Sequence, residues 1–311
     1  MIISASRRTD IPTYYSDWFY NRIKEGFVMV RNPMNFRHVS RIKLTPEGVD
    51  GIILWTKNPT PMIERLDELR DYMYYFQFTI TPYGKDIEPN VPRKNTDVLS
   101  AFKEISRKIG ANRVIWRYDP IFLNEKYSVK YHIRAFTEIA NELRIYTRKV
   151  TISFIDTEYK GLKSNIDALE LVNFPNEIRR ELASRLAEIA HKNNLSIDTC
   201  AEEIDLHEFG IKQARCIDDK LLSKLLSSNL DVEKDRNQRL ACGCISSIDI
   251  GMYNTCMNGC LYCYANYRKG AIAGNRSKHN PSSPLLYGEI SNDDKIIDRA
   301  VKVHRSNQLS L

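Results

Sequence analysis

Three cysteines near the C-terminus have a spacing that suits an iron–sulfur cluster. Cys256, Cys260 and Cys263 form a CxxxCxxC array within the segment NTCMNGCLYCYANY. Thiolates are soft ligands, and four-iron clusters are normally held by four cysteines. A loop that supplies only three thiolates leaves one iron free to bind another molecule. This cysteine triplet therefore predicts a [4Fe–4S] cluster with one open iron, and an aromatic residue, Tyr262, precedes its last member.

The other four cysteines lie upstream and form a candidate second metal site. Cys200, Cys216, Cys242 and Cys244 occur in DTCAEE, ARCID and ACGCIS. Four thiolates can hold a second four-iron cluster or a tetrahedral zinc ion. Two of them, Cys200 and Cys216, could instead be small buried hydrophobic residues, as free cysteines often are. The CGC pair favours metal, because packing poorly explains two thiols one residue apart.

Polar side chains follow nearly every predicted strand at the point where it ends. In parallel α/β folds, residues that bind ligands lie just beyond the carboxyl ends of the strands. Each position also has a structural explanation, such as a helix N-cap at Thr9 or Asp10 ahead of Pro12. Their repetition at one edge favours a shared site. The positions are SRRTD at 6–10, TKNP at 56–59, Thr79, Thr81, Tyr83, RYDP at 117–120, Asp156 and CAEE at 200–203.

Short β-rich runs alternate with helical patterns along most of the chain. Several runs, such as VDGIILW and KVTISFI, are continuously apolar or β-branched, which is typical of parallel strands buried on both faces. The alternation predicts βαβ units. The predicted strands are 1–5, 26–30, 51–55, 75–80, 113–116, 150–154, 195–199 and 246–250, and the predicted helices are 16–24, 62–73, 96–108, 129–143, 177–192 and one near 293–303.

The pattern predicts an α/β fold with a parallel (β/α) barrel or partial barrel, and a doubly wound open sheet is the second choice. We expect one barrel-like domain over residues 1–270, including the cysteine-rich loop at 242–264. A C-terminal loop and helix over 271–311 should pack on it. Every strand of a closed barrel has two neighbours, so a cysteine loop after the last predicted strand would still open at the carboxyl edge.

The composition is that of an ordinary globular protein, with 42% hydrophobic and 27% charged residues among 311. No apolar run approaches the roughly 20 residues needed to cross a bilayer, and MIISASRRTD has the wrong order for a secretory signal. We therefore expect a cytoplasmic protein without a membrane partner, in which cysteines clustered after residue 199 indicate metal rather than disulfides. The net charge of +7 suits either solubility or an anionic partner such as nucleic acid.

With these motifs assembled, the chain resembles an uncharacterised prokaryotic family. This is a domain of unknown function whose C-terminal cysteines are similar to those of radical S-adenosylmethionine (SAM) enzymes, including spore photoproduct lyase. The resemblance spans residues 1 to about 288. The stretches that carry it are ISASRRTDIP, RNP, LWTKNP, FTITPYG, VIWRYDPI, ISFID, TCAE, CID, KDRNQR, CGCISSIDIGMYNTC and GCLYCYAN.

The resemblance implies a fold and two cofactors. Radical SAM barrels carry the cysteine loop after the first strand, so a circular permutation is expected in which 246–250 is the first strand and 1–5 the second. The cysteine triplet would hold a [4Fe–4S] cluster whose open iron chelates the amino and carboxylate groups of SAM. The GGE motif of the superfamily is absent after the second strand, where SRRTD stands.

The residues at the strand ends suit the groups that SAM presents. A carboxylate favours a bidentate arginine, for which Arg117 and Arg7 are candidates. The ribose hydroxyls suit Asp119 or Thr79, and adenine could pack against Tyr262. The candidate catalytic residues at the same edge are Arg7, Asp10, Lys57 and Glu202.

These features leave two main classes of function. The first is a radical SAM enzyme that takes an electron from a donor such as flavodoxin or ferredoxin and cleaves SAM to a 5′-deoxyadenosyl radical; its substrate is unknown. The second is a nucleic-acid-binding module whose cysteines hold zinc or iron–sulfur without SAM chemistry. The chain lacks the paired CxxC knuckles of zinc modules, which favours the enzyme. A simple electron carrier would not need so large a barrel with a polar edge.

Overall fold

The computed structural model describes residues 1–159, 161–163 and 165–306. Its strands form one sheet of eight and a second sheet of three. The strands are β1 (Ile2–Ala5), β2 (Phe27–Asn32), β3 (Asn35–Lys43), β4 (Gly51–Thr56), β5 (Tyr74–Thr79), β6 (Val114–Ile121), β7 (Lys149–Phe154), β8 (Ser196–Thr199), β9 (Lys212–Gln213), β10 (Ile248–Asp249) and β11 (Lys295–Asp298).

The large sheet has the strand order β10-β1-β4-β5-β6-β7-β8-β9, and every neighbouring pair is parallel. From β1 to β9 each later strand of this sheet adds to the same side, and β10 then pairs with the other edge of β1. A doubly wound sheet would instead place several strands on each side of its first strand. The predicted α/β fold is therefore confirmed as a mixed architecture with a parallel, partial-barrel-like sheet.

Both faces of the large sheet are buried, as the continuous apolar runs predicted. Alternate residues of a strand point to opposite faces. Ile3 and Ile52 belong to the larger core, which also contains the buried faces of the helices. Ile2 and Ile53 belong to a smaller core on the opposite face, together with three of the seven cysteines.

Eight α-helices accompany the strands within the described residues. Their ends follow ordinary capping rules: Asp10 caps the first helix by accepting from the Thr13 amide, and Ser128 accepts from the Tyr131 amide. None of them combines the length and apolar character needed to cross a membrane. The helices are α1 (Ile11–Tyr14), α2 (Ser16–Glu25), α3 (Thr60–Ile63), α4 (Leu99–Ile109), α5 (Val129–Leu143), α6 (Asn176–Lys192), α7 (Asp219–Leu226) and α8 (Lys269–Ser277).

The C-terminal part differs from the prediction. The helix expected near 293–303 is wrong, because β11 occupies part of that segment and pairs in parallel with β3. β2 pairs antiparallel with β3, so the strand expected at 26–30 lies in the small sheet and not in the barrel-like one. Backbone pairing with a distant strand supplies the hydrogen bonds that decide such a short segment, and local sequence does not reveal that partner.

Two helical segments also differ from expectation. The predicted helix at 62–73 is shorter, and comprises α3 and a 3₁₀ turn at Leu66–Leu69. α7 was not predicted; Asp218 caps it by accepting from the amides of Lys220 and Leu221. Its Leu222 packs into the smaller core, close enough to Gly51 that a Cβ there would lie 2.6 Å from the leucine side chain.

Candidate iron–sulfur site at the carboxyl edge of the sheet

All seven cysteines line one cavity at the carboxyl edge of the large sheet. The cavity has a volume of about 290 Å³. Its walls come from the ends of β1, β4, β5, β6, β7 and β8 and from two loops, 238–244 and 256–265. The predicted site residues that line the same cavity are Arg7, Asp10, Lys57, Thr79, Arg117, Asp119 and Tyr262.

Glu202 is the predicted site residue that lies to one side. It borders a neighbouring groove with Thr199 and Ile204, and its Oε1 accepts a 2.8 Å hydrogen bond from the Phe154 amide. Burial raises the pKa of Glu202 to about 7. This hydrogen bond shows that Glu202 links the end of β8 to the end of β7.

The cysteine triplet begins at a junction that sequence reasoning missed. Asp249, at the end of β10, accepts hydrogen bonds from the hydroxyls of Ser4 and Ser6 at 2.8 and 2.6 Å and from the Arg7 amide at 2.8 Å. Gly251 follows, and a Cβ at that position would lie 2.1 Å from the Ser6 hydroxyl. The carboxylate therefore joins β10 to the SRRTD segment and sets where the cysteine loop starts.

The triplet loop itself is a compact turn. Gly259 has φ +71°, the left-handed conformation that glycine adopts without steric cost, and a Cβ there would meet Pro89 at 2.9 Å. The amide of Cys263 donates to the Cys260 carbonyl at 3.1 Å, and the Asn266 amide group donates to the Cys256 carbonyl at 2.7 Å. These bonds hold the three cysteines of the loop at one wall of the cavity.

Asp10 positions this loop against two strands. It is buried, and one carboxylate oxygen accepts from the Lys57 amide at 2.8 Å and the Asn258 side chain at 3.1 Å. The other oxygen caps α1 at the Thr13 amide. Burial raises the pKa of Asp10, and these hydrogen bonds oppose that rise. Its three hydrogen-bond partners make Asp10 a positioning residue rather than a free acid or base.

Lys57 forms part of a buried ionic cluster whose centre, Glu88, was not predicted. Glu88 accepts from the Lys57 ammonium at 2.9 Å, from Thr81 at 2.7 Å and from the Tyr262 hydroxyl, and Lys94 lies 2.5 Å from its other oxygen. Burial opposes ionisation, but the two lysines outweigh it and lower the pKa of Glu88 to about 2. The cluster fixes Tyr262, whose ring lies 5.4 Å from the Lys57 nitrogen.

Arg117 connects the strand edge to the cysteine quartet, which comprises Cys200, Cys216, Cys242 and Cys244. Its Nη1 donates to the Cys216 sulfur at 2.9 Å, and its Nη2 pairs with Asp119. Asp119 also accepts from the Ser153 hydroxyl. Burial would raise the pKa of Asp119, but the guanidinium outweighs burial and holds it below the usual range. Both terminal nitrogens of the buried Arg117 are therefore engaged by protein groups.

Arg7 is held more loosely than Arg117. Its nearest carboxylates are Asp235 at 3.6 Å and Asp249 at 4.0 Å, and it donates to the Ser247 hydroxyl at 3.4 Å. Such distances leave donor capacity toward the cavity. Thr79 ends β5 and lines the same cavity.

Two thiols of the triplet, those of Cys256 and Cys260, are buried in surroundings that favour the neutral form, and Cys263 is partly exposed. Burial raises the pKa of Cys256 to about 12 and that of Cys260 well above its usual value. Metal ligation requires thiolates, so loading this site would release protons. Within the described ranges, no group of three or more His, Cys, Asp or Glu side chains is arranged to hold a single metal ion. All three thiols of the triplet nevertheless line the same cavity.

Comparison with known proteins identifies the family. A search of curated proteins found no match. A family model described as a domain of unknown function, DUF1848, matches residues 2–265, which include both cysteine sets and every predicted site residue. The expected uncharacterised family is thereby confirmed, and the chain belongs to the DUF1848 family.

Proposed function

We propose that this protein is an iron–sulfur enzyme of the radical SAM type. The observation that carries the proposal is the position of the cysteine triplet. Its three thiols face a cavity of about 290 Å³ that Arg7, Lys57 and Tyr262 also line, at the carboxyl edge of a parallel sheet. Ligand-binding residues of α/β barrels lie at that edge.

The triplet would supply three thiolate ligands for a [4Fe–4S] cluster and would leave one iron open to SAM. When bound, these cofactors supply a one-electron cleavage of SAM to a 5′-deoxyadenosyl radical, with the electron coming from a donor such as flavodoxin or ferredoxin. The protein's task is to hold the reacting groups together and to exclude water from them.

The contacts refine the roles of the two candidate arginines. Arg117 already donates to Cys216 and pairs with Asp119, so it has little capacity left for a ligand. Arg7 keeps donors toward the cavity and is the better candidate for the SAM carboxylate. Tyr262 is held by Glu88 and offers a ring face to adenine, and Thr79 offers a hydroxyl to ribose.

The strand order also supports the proposed circular permutation. β10, which precedes the triplet, pairs with β1, and β1 pairs with β4. Starting at β10, the sheet therefore reads in one direction through β1 and β4 to β9. The cysteine loop then follows the first strand, as in radical SAM barrels.

The proposal is tested by SAM cleavage. Protein reconstituted with iron and sulfide without oxygen, then reduced with dithionite, should convert SAM to 5′-deoxyadenosine and methionine, measured by chromatography. The triple variant C256A/C260A/C263A should lose this activity completely. The matched control is Met257→Leu, which changes a side chain in the same loop without removing a thiol.

Two results would contradict the proposal. One is cluster-loaded wild-type protein that leaves SAM intact. The other is colourless protein that contains zinc and no iron, which would support a metal-braced nucleic-acid-binding module instead. Brown protein with absorbance near 400 nm that cleaves SAM would decide for the enzyme.

A further inference from the structure

We propose that the cysteine quartet binds one zinc ion in a closed tetrahedral site that braces the fold. The quartet consists of four thiols from three separate segments of the chain, which the fold brings to one wall of the cavity. Four cysteine sulfurs are a complete ligand set for a structural zinc ion. The inference goes beyond the proposed function, since it holds whether or not the triplet uses SAM.

The spacing of the quartet sulfurs fits a single ion. The sulfur of Cys216 lies 3.3 Å from that of Cys200, and Cys244 lies within hydrogen-bonding reach of both Cys216 and Cys242. Four sulfurs that each lie about 2.3 Å from a central zinc ion are about 3.8 Å from one another. In a four-iron cube each cysteine binds a separate iron, which holds the sulfurs farther apart than these neighbours are.

Binding requires the two ends of this row of sulfurs to turn inward. Among the described residues, no three donors yet converge on one point. The end members, Cys200 and Cys242, both line the cavity and have space there for another side-chain rotamer. A Cβ at Gly243 would lie 2.7 Å from the Ala214 carbonyl oxygen, so the glycine allows the CGC segment to approach the segment that carries Cys216.

The surroundings of the quartet suit the negative charge of a zinc ion with four thiolates. Arg117 donates to the Cys216 sulfur at 2.9 Å. The amide of Ile217 donates to the Cys244 sulfur at 3.4 Å, and the guanidinium of Arg7 lies close enough to Cys244 for their charges to interact. Hydrogen bonds and cations beside ligand sulfurs stabilise such a centre.

The ion would brace a segment that has little secondary structure of its own. Within the described range 165–306, residues 227–247 join α7 to β10 and contain no helix and no strand longer than an isolated bridge. Connections of that length without secondary structure usually carry a function. Zinc would tie this segment, through the CGC pair, to the end of β8 and to the residues after β9. It would thereby fix the chain that leads into β10 and the triplet loop.

The test combines metal analysis with X-ray absorption at the zinc edge on the full-length variant C256A/C260A/C263A. Only the quartet thiols remain in that variant. Supplied with zinc, it should bind about one ion per chain, with four sulfur neighbours at about 2.3 Å. The further change C242S/C244S should abolish this binding. The matched control is Ser246→Ala, at an exposed position two residues from Cys244, which should keep the zinc.

Three results would overturn the proposal. The triplet variant could bind no zinc when the metal is supplied. It could instead take up about four irons and four sulfides per chain, which would assign a cluster to the quartet. Zinc that stays bound after C242S/C244S would show that the ion lies elsewhere.

Wild-type protein keeps the test decisive where a variant misfolds, which circular dichroism identifies. Reconstituted without oxygen, it should hold about one zinc ion in addition to iron, with sulfur as the only neighbour of zinc. Zinc with nitrogen or oxygen neighbours, or no zinc, contradicts the inference. Protein that holds zinc at four sulfurs and iron at the triplet, but leaves SAM intact, would refute the proposed function and leave the zinc site standing.

Discussion

The two cysteine sets are assembled in different ways. The triplet comes from a single turn of eight residues, 256–263, whose shape depends on Gly259 and on hydrogen bonds within the loop. The quartet comes from three segments, after β8, after β9 and at 242–244, which meet only when the sheet has formed. One set is therefore encoded locally, and the other depends on the folded sheet.

The residues that hold the two cysteine sets in place also differ. Asp10 ties the triplet loop to the ends of β1 and β4 through neutral donors. Arg117 supports the quartet through a buried charge that faces both Cys216 and Asp119. This difference implies that damage to the sheet edge should affect the quartet first, and that damage to the loop turn should affect the triplet alone.

The largest effect is expected from Arg117→Met. This change leaves Asp119 without its cation and Cys216 without its donor, and breaking a buried pair typically costs about 3–5 kcal/mol. Denaturant unfolding should show that loss, and any metal bound at the quartet should fall while the triplet stays loaded. Arg134→Met, at a position 69% exposed, should change stability by no more than about 0.5 kcal/mol. Equal losses in both variants would contradict the assignment.

A second prediction concerns the pH dependence of stability that arises from a buried histidine outside the cysteine loops. His132 on α5 is buried against Tyr118 and the Phe122 carbonyl, and burial lowers its pKa from 6.5 to about 4. The unfolded chain therefore binds more protons between those values. The buried neutral His132 therefore stabilises the folded protein fully above pH 6.5. The free energy of unfolding should fall by about 3 kcal/mol in total as the pH falls to 4.

His132→Gln should remove this pH dependence, and unfolding measured from pH 7 to pH 4 checks it. The exposed His207→Gln variant should keep the wild-type slope. Since the loss originates in α5, metal-loaded and metal-free protein should show it alike. A slope that disappears when the cysteines are loaded would show that the two regions are coupled.

Gly259→Ala should break the triplet selectively. The left-handed conformation costs alanine about 1–2 kcal/mol, and the contact with Pro89 adds to this, so we expect a loss of about 2–3 kcal/mol. Metal analysis should show less iron at the triplet, while any metal bound at the quartet remains. Loss of metal from the quartet in this variant would show that the two sites are not independent.

Gly243→Ala is the matched change in the quartet. A Cβ at this position would lie 2.7 Å from the Ala214 carbonyl oxygen, so the CGC segment must shift at a cost of about 1–2 kcal/mol. Metal analysis should show the quartet depleted and the triplet intact. Gly259→Ala should thus deplete the triplet alone, and Gly243→Ala should deplete the quartet alone.

The smallest effect is expected at Gly274 in α8, where a Cβ would meet nothing within 4 Å. Gly274→Ala should stabilise the protein by about 0.5–1 kcal/mol, because glycine in a helix loses more backbone entropy than alanine. Thermal unfolding should show a small rise, and the iron content should not change. A destabilisation here would mean that general loss of glycine, rather than position, explains the other two variants.

Sequence patterns predicted much of the large sheet. Continuous apolar runs located seven of its eight strands, because burial on both faces leaves a strong local signal. The missing strand, β9, has only two residues, and both are exposed. The small sheet was not predicted, because β11 is four exposed residues whose pairing with β3 depends on a partner some 250 residues away in sequence.

The sequence by itself indicated the triplet, because its three thiols fall within eight residues and therefore share one short loop. It also indicated which polar residues lie at the carboxyl edge, since each follows a recognisable strand. Only the tertiary structure decided which of those side chains are already bonded to other protein groups and which can bind a ligand. Arg117 and Lys57 are occupied by Cys216, Asp119 and Glu88, and Asp249 organises the loop entrance. Such contacts join residues up to 245 positions apart, and the packing of distant segments, which no local pattern encodes, brings them together.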